Sequence, residues 1–204
     1  MGFYDERILP HVINIAMGSR ELLPYRKRAL SSARGRVLEI GIGSGLNLPF
    51  YGPRVEEILG LDPVPRLIAM AQRGAEHLQI PVTFINGSAE AIPIDRGSID
   101  TVITTWTLCS IPNTTQALRE MHRVLKPGGQ LLFVEHGLAP EEGVQKWQNR
   151  LTPIWKRIGG GCHLNRPISA LIESAGFLIQ RLDTGYAQGP RPMAFFYDGC
   201  AAPS

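Results

Sequence analysis

The chain alternates between two hydrophobic periods. Short apolar runs at Arg36–Ile40, Glu57–Leu61, Val82–Asn86, Ile99–Thr105 and Gln130–His136 have the length and branched-residue content of strands. The continuous pair Val102-Ile103 implies burial on both faces, as in a parallel sheet. Helical spacing fills the intervals. Pro65–Leu78 aligns Leu67, Ile68, Ala71, Ala75 and Leu78, with Pro65 suited to a first turn. Thr114–Leu125 is closed by Lys126-Pro127-Gly128-Gly129, which reads as a helix stop. Ile168–Ala175 ends at Gly176, where a left-handed cap is expected. Leu178–Asp183 and Met193–Asp198 read as a last hairpin at the sheet edge. This order predicts an α/β fold, a Rossmann-like doubly wound sheet flanked by helices in a single domain.

Two segments fall outside that pattern. Residues 1–34 are expected to form an N-terminal helical cap on a domain spanning 35–204. Residues about 138–166 leave the fifth strand at its carboxyl end, where open α/β sheets bind ligands, and are expected to be a substrate lid. Within it Trp147, Leu151, Ile154 and Ile158 share a helical face, with Lys146, Arg150 and Arg157 elsewhere. The reading is an apolar lid on the pocket, with peripheral contact to a membrane surface as the alternative. Pro153 is expected to interrupt the helix. Tyr25-Arg26-Lys27-Arg28 reads as a solvated helix face, or as a patch for an anionic headgroup.

The first strand runs into Glu39-Ile40-Gly41-Ile42-Gly43-Ser44-Gly45, and the second ends at Asp62. Glycines let the chain turn and let a ligand approach the backbone. A dinucleotide fingerprint, G-x-G-x-x-G, needs glycine at position 46, which is Leu46. Glu39 would repel a pyrophosphate but suits a ligand with an ammonium and a sulfonium. Asp62 can accept from both hydroxyls of a ribose. The pattern therefore favours S-adenosylmethionine, and with it a methyltransferase, over a dinucleotide oxidoreductase.

Composition narrows the class. The 204 residues, 44% hydrophobic and 19% charged, suit one ordinary globular domain. A net charge of +3 gives no nucleic-acid footprint. Cys109, Cys162 and Cys200 lack C-x-x-C spacing, so no zinc or other metal site is expected, and a reducing compartment is. No apolar run approaches the roughly 18 residues that span a bilayer. Asp5, Glu6 and Arg7 interrupt any signal-like start. A cytoplasmic location is expected.

At this point the chain resembles the class I S-adenosylmethionine-dependent methyltransferases. The resemblance rests on Glu39–Gly45, Leu61-Asp62-Pro63, Gly87-Ser88-Ala89-Glu90-Ala91-Ile92-Pro93 and Leu125–Gly129. It implies a seven-stranded sheet, mostly parallel, with the last strand antiparallel. A narrower resemblance, to the methyltransferase-like alkyl thiol methyltransferases of animals, rests on Tyr4-Asp5, Gly45–Tyr51, Thr107-Leu108-Cys109-Ser110, Val134-Glu135-His136, Trp147-Gln148, Pro153, Trp155, Gly161-Cys162 and Leu164. That family carries a hydrophobic N-terminal anchor that these residues do not match.

The resemblance implies roles. Gly41, Ile42 and Gly43 would present backbone to the methionine part of the cofactor, with Glu39 near its ammonium. Asp62 would hold the ribose and Pro63 flank the adenine, with Ser88, Ala89 and Glu90 beside it. Thr105 and Trp106 would lie beneath the reactive methyl. Asn47 and Tyr4 complete the cofactor set, Tyr4 closing over it. The product would be S-adenosylhomocysteine. His136, at the end of strand five, is the candidate general base, histidine being the side chain suited to that role near neutral pH, against a packing role. Cys109 reads as a small buried hydrophobe, and Cys162-His163 as lid structure. The expected acceptor is a small molecule, a thiol first. A phospholipid amine or quinone-type lipid is one alternative, and a non-catalytic cofactor-binding module another.

Overall fold

The computed structural model describes residues 9–204. The most apolar runs become the middle of the sheet. Val37, Leu38 and Ile40 of β1 (Gly35–Ile40) and Val102 and Ile103 of β4 (Ile99–Thr105) are almost wholly buried. Around them lie β2 (Val55–Asp62), β3 (Val82–Asn86), β5 (Leu125–His136), β6 (Phe177–Tyr186) and β7 (Phe195–Pro203), in the order β3-β2-β1-β4-β5-β7-β6. β1 to β5 pair in parallel, and β7 runs antiparallel to both neighbours. The seven-stranded, mostly parallel sheet is as expected.

The two-residue period of a strand sends alternate side chains to opposite layers. Leu38, Val102, Leu131 and Phe133 pack with Ala117, Leu118 and Met121 of α4 (Thr114–Val124) and Ile168 and Ile172 of α6 (Ile168–Ser174). Val37, Ile103, Leu132 and Val134 face Ala29 and Leu30 of α2 (Leu23–Leu30). Each Val, Leu, Ile, Phe or Met among them contributes about 1.5–3 kcal/mol on burial. The remaining helices are α1 (Leu9–Met17), α3 (Pro65–Ala75), α5 (Glu142–Ile158) and α7 (Arg191–Ala194). Strand order reverses at β1, with β2 on one side and β4 on the other, so a crevice opens at their carboxyl ends.

Three local readings are corrected. Lys126–Gly129 lies inside β5: Ile99 pairs with Leu125 and Thr101 with Gln130, and a register shift absorbs the extra residues, with Gly128 at φ +78°. Pro and Gly end a helix and bulge a strand for the same backbone reasons, so the sequence signal is shared. The helix after Pro65 stops at Ala75, short of Leu78. α5 runs unbroken through Pro153. The carbonyl that Pro153 leaves without a donor belongs to exposed Asn149, where water can serve it. No described helix is long and apolar enough to cross a membrane.

Candidate functional site

The loop after β1 takes three left-handed glycines, Gly41 (φ +68°), Gly43 (φ +56°) and Gly45 (φ +81°). A Cβ on Gly41 would meet the Thr107 side chain at 2.5 Å, so only glycine fits. The Gly41 and Ile42 N–H groups donate to the Leu61 carbonyl at 2.8 and 3.1 Å, strapping the loop to the end of β2. Asp62 completes the strap: Oδ2 accepts from the Gly43 N–H at 2.9 Å and Oδ1 from the Val64 N–H at 2.8 Å. Burial raises its pKa, and these two N–H groups oppose the rise. Each carboxylate oxygen keeps acceptor capacity for a diol.

Glu39 is buried at the end of β1. Its Oε1 accepts from Asn47 Nδ2 at 2.8 Å and its Oε2 from the Tyr51 hydroxyl at 2.6 Å. Burial lifts its pKa to about 7, against the pull of Tyr51, Asn47 and Arg26. Arg26 donates to Asn47 Oδ1 at 2.5 Å and to the Met17 carbonyl at 2.9 Å, and its guanidinium stacks 4.8 Å from the Trp106 ring centre. Trp106, just after β4, is the one non-glycine residue at positive φ (+52°) among the described residues. Such a backbone costs about 1–3 kcal/mol and persists where surroundings over-determine it. Here its N–H donates to the Val134 carbonyl at 2.7 Å and its ring packs on Phe196.

These elements enclose a cleft of about 290 Å³. Glu39, Gly41, Ile42, Gly43, Asp62, Pro63, Ser88, Ala89, Thr105 and Trp106 all line it. Asn47 lies behind Glu39 and orients it. Glu90 turns aside, accepting from the Asn113 N–H at 2.6 Å and the Ser88 hydroxyl at 3.2 Å. His136 is buried and is not on the cleft wall. Tyr4 lies outside the described residues. Sequence reasoning missed Asn14, Met17 and Arg26 from the two N-terminal helices, Ser110, Ile111 and Pro112 after β4, and Gly160 from the α5–α6 loop. Arg26 sits in a basic run whose pattern does not separate it from exposed Lys27, although Arg26 is only 4% exposed.

Glu135, also missed, is fully buried. It turns the chain after β4 by accepting from the Thr107 and Leu108 N–H groups at 3.1 and 3.0 Å. Burial pushes its pKa to about 8. The turn delivers Cys109, whose sulfur clusters with a ring nitrogen of His136 and the sulfur of Cys162: the ligand atoms of the three residues lie within 4.8 Å of one another. Cys162 Sγ is 3.7 Å from His136 Nδ1. His163 points elsewhere, its N–H donating to the Cys109 carbonyl at 2.8 Å and its Nδ1 lying 3.1 Å from that oxygen. Cys162 is the more acidic thiol, its pKa lowered by a hydrogen bond with Cys109, whose own pKa that hydrogen bond and burial raise.

A family model for a methyltransferase domain matches residues 38–133. The chain is 33% identical over 182 residues to thiol S-methyltransferase TMT1A of Homo sapiens, covering 86% of this chain and 73% of that protein. It is 38% identical over 152 residues to thiol S-methyltransferase TMT1B of Rattus norvegicus, covering 72% of this chain and 62% of that one. The aligned region thus spans a little under two thirds of the rat protein's length. A SAM-dependent methyltransferase structure from Thermotoga maritima superposes with a TM-score of 0.70 at 18% identity, over 98% of each chain, and shares the fold. The left-handed glycine loop that a Cβ would fill, the buried acid at the end of β2 and the parallel sheet all fit S-adenosylmethionine. The chain therefore belongs to the class I S-adenosylmethionine-dependent methyltransferases, in the family that contains the thiol S-methyltransferases TMT1A and TMT1B.

Proposed function

We propose that the protein methylates the sulfur of a small apolar thiol. The observation that carries this is the apolar lining of the cleft. Met17, Leu46, Ile111 and Pro112 make it apolar, and the buried carboxylates nearby are engaged. Glu39 is held by Asn47 and Tyr51, and Glu135 by two backbone N–H groups. With Glu39 also taken by the cofactor ammonium, an acceptor amine finds no carboxylate left among these residues, whereas a soft, weakly solvated sulfur suits an apolar wall.

When bound, S-adenosylmethionine supplies an electrophilic methyl on a sulfonium, open to in-line displacement. The chain's residues position and dry the site. Asp62 holds the ribose, Glu39 the ammonium, and Pro63, Ser88 and Ala89 the adenine. Trp106 and Thr105 form the floor at the end of β4. Arg26, buried on the same wall, places a positive charge where an acceptor thiol must ionise, which lowers its pKa from about 8.5. Holding nucleophile and methyl in line is the main catalytic contribution. The α5–α6 loop acts as part of the lid, and residues 9–34 as the cap.

A lipid acceptor is the second reading. It draws on α5, where Trp147 (56% exposed) and Ile154 (63%) face outward beside Arg150. An acceptor panel decides between them. Formation of S-adenosylhomocysteine is expected with small alkyl and aryl thiols and not with amines. Turnover only on vesicles containing phosphatidylethanolamine or on a quinol would overturn the thiol assignment.

A further inference from the structure

We propose that Cys109, His136 and Cys162 form a zinc site at the edge of the cofactor cleft. The three residues come from separate segments, so no local spacing motif announces them. Cys109 follows β4, His136 ends β5 and Cys162 lies in the α5–α6 loop. Their ligand atoms already lie within 4.8 Å of one another. Tetrahedral zinc, with Zn–S of about 2.3 Å and Zn–N of about 2.0–2.1 Å, sets ligand separations of roughly 3.5–3.8 Å. The Cys162 Sγ to His136 Nδ1 distance is 3.7 Å. Closing the cluster on an ion thus takes sulfur movements of about 1 Å or less.

His136 supplies the second observation. It is 5% exposed, its Nε2 has no hydrogen-bond partner among the described residues, and its Nδ1 faces the Cys162 thiol. A buried imidazole that turns Nδ1 to a thiol sulfur at 3.7 Å presents the nitrogen a metal ion would take. The surroundings are also built rather than accidental. Glu135 fixes the turn before Cys109 through two N–H groups, and His163 fastens the α5–α6 loop to the Cys109 carbonyl. Two thiolates and an imidazole suit zinc over the harder cations.

Three protein ligands leave a fourth position open, as in catalytic rather than structural zinc sites. The cleft is adjacent. Ser110 and Gly160 both line it, and Ser110 Oγ is 3.6 Å from Cys109 Sγ. Resting on the thiol reading, the fourth ligand is the acceptor sulfur. It displaces water from the ion, its S–H proton passes to solvent, and no redox change occurs. The zinc-held thiolate then forms the new S–C bond as the sulfonium S–C bond breaks, and a neutral thioether leaves.

The test is metal content of the whole chain, purified reduced, without chelator and without acceptor. About one zinc per chain is expected in the wild type and in Cys200→Ser, with less than a tenth of that in Cys162→Ser and Cys109→Ser. Calorimetric binding of S-adenosylhomocysteine checks that each variant is folded; Cys162, on a half-buried loop, is the milder site. Cobalt added to the metal-free wild type should give thiolate-to-cobalt absorption in the near ultraviolet that Cys162→Ser abolishes. No zinc or cobalt bound by the reduced wild type, full retention in Cys162→Ser, or a Cys109–Cys162 disulfide as the only chemistry of the cluster would each overturn the site. Because these measurements need no acceptor, a failed zinc count leaves the thiol reading standing, and a failed thiol panel leaves the zinc count standing.

Discussion

Glu39 is a carboxyl that the fold holds near neutrality, and replacing it with Gln isolates the cost. Burial moves its pKa from an ordinary 4.5 to about 7. Below pH 4.5 it is protonated in both the folded and unfolded states and contributes nothing. Between pH 4.5 and 7 the unfolded chain has lost the proton and the folded chain keeps it. Stability therefore falls with rising pH, by about 1.4 kcal/mol per unit. Above pH 7 both states are ionised and the full penalty, about 3 kcal/mol, is in place. In Glu39→Gln the oxygen still accepts from Asn47 Nδ2, and the amide faces a Tyr51 hydroxyl that can accept. The difference in unfolding free energy, wild type minus variant, should thus drop by about 3 kcal/mol between pH 4.5 and 8. Glu135 titrates in both proteins and cancels. Urea unfolding of the ligand-free proteins at closely spaced pH values measures it, and a pH-independent difference would refute the reasoning. In the proposed role of facing the cofactor ammonium, the same carboxyl must ionise. Wild-type binding should therefore release protons near pH 6 and tighten towards pH 7, and the variant should show neither effect.

The other predictions follow from single contacts. Asp62→Ala removes a charged acceptor and should raise the S-adenosylmethionine dissociation constant by roughly 10- to 100-fold, about 1.5–3 kcal/mol; calorimetry reads it, and a change below twofold contradicts the ribose role. Gly41→Ala forces a side chain into a left-handed conformation and into Thr107. It should cost about 1–2 kcal/mol or more in unfolding free energy, together with cofactor affinity, and wild-type values for both would refute the steric argument. Gln148 is fully buried, accepting from the Ala139 N–H and donating to the Gly137 and Pro192 carbonyls. Gln148→Ala should destabilise by about 2–3 kcal/mol, seen as a lowered melting temperature, and a loss under 0.5 kcal/mol would show that the clamp is dispensable.

Sheet and glycine loop were legible because each has a local cause. Continuous apolar runs mark β1 and β4, and positive φ at Gly41, Gly43 and Gly45 leaves glycine at fixed spacing. Asp62 was legible because it ends a strand. What escaped depends on contacts far apart in the chain. Arg26 is buried because Asn47, twenty-one positions later, receives its guanidinium, and no helical period records that. Glu135 was read only as part of a shared triplet, since its partners are backbone groups after another strand. Pro153 was misread because its cost depends on whether the Asn149 carbonyl can reach water. Cys109 and Cys162 looked unrelated for want of local spacing; parallel β4 and β5 and the docked α5–α6 loop bring them together.

The most direct test of the central claim is the fate of a labelled methyl group. The enzyme, S-adenosylmethionine carrying a deuterated methyl and an apolar aminothiol with one free –SH and one free –NH2 are incubated together, and the product is analysed by mass spectrometry. The account predicts label on sulfur, with one S-adenosylhomocysteine formed per thioether. Label on nitrogen, with the thiol left free, would contradict it.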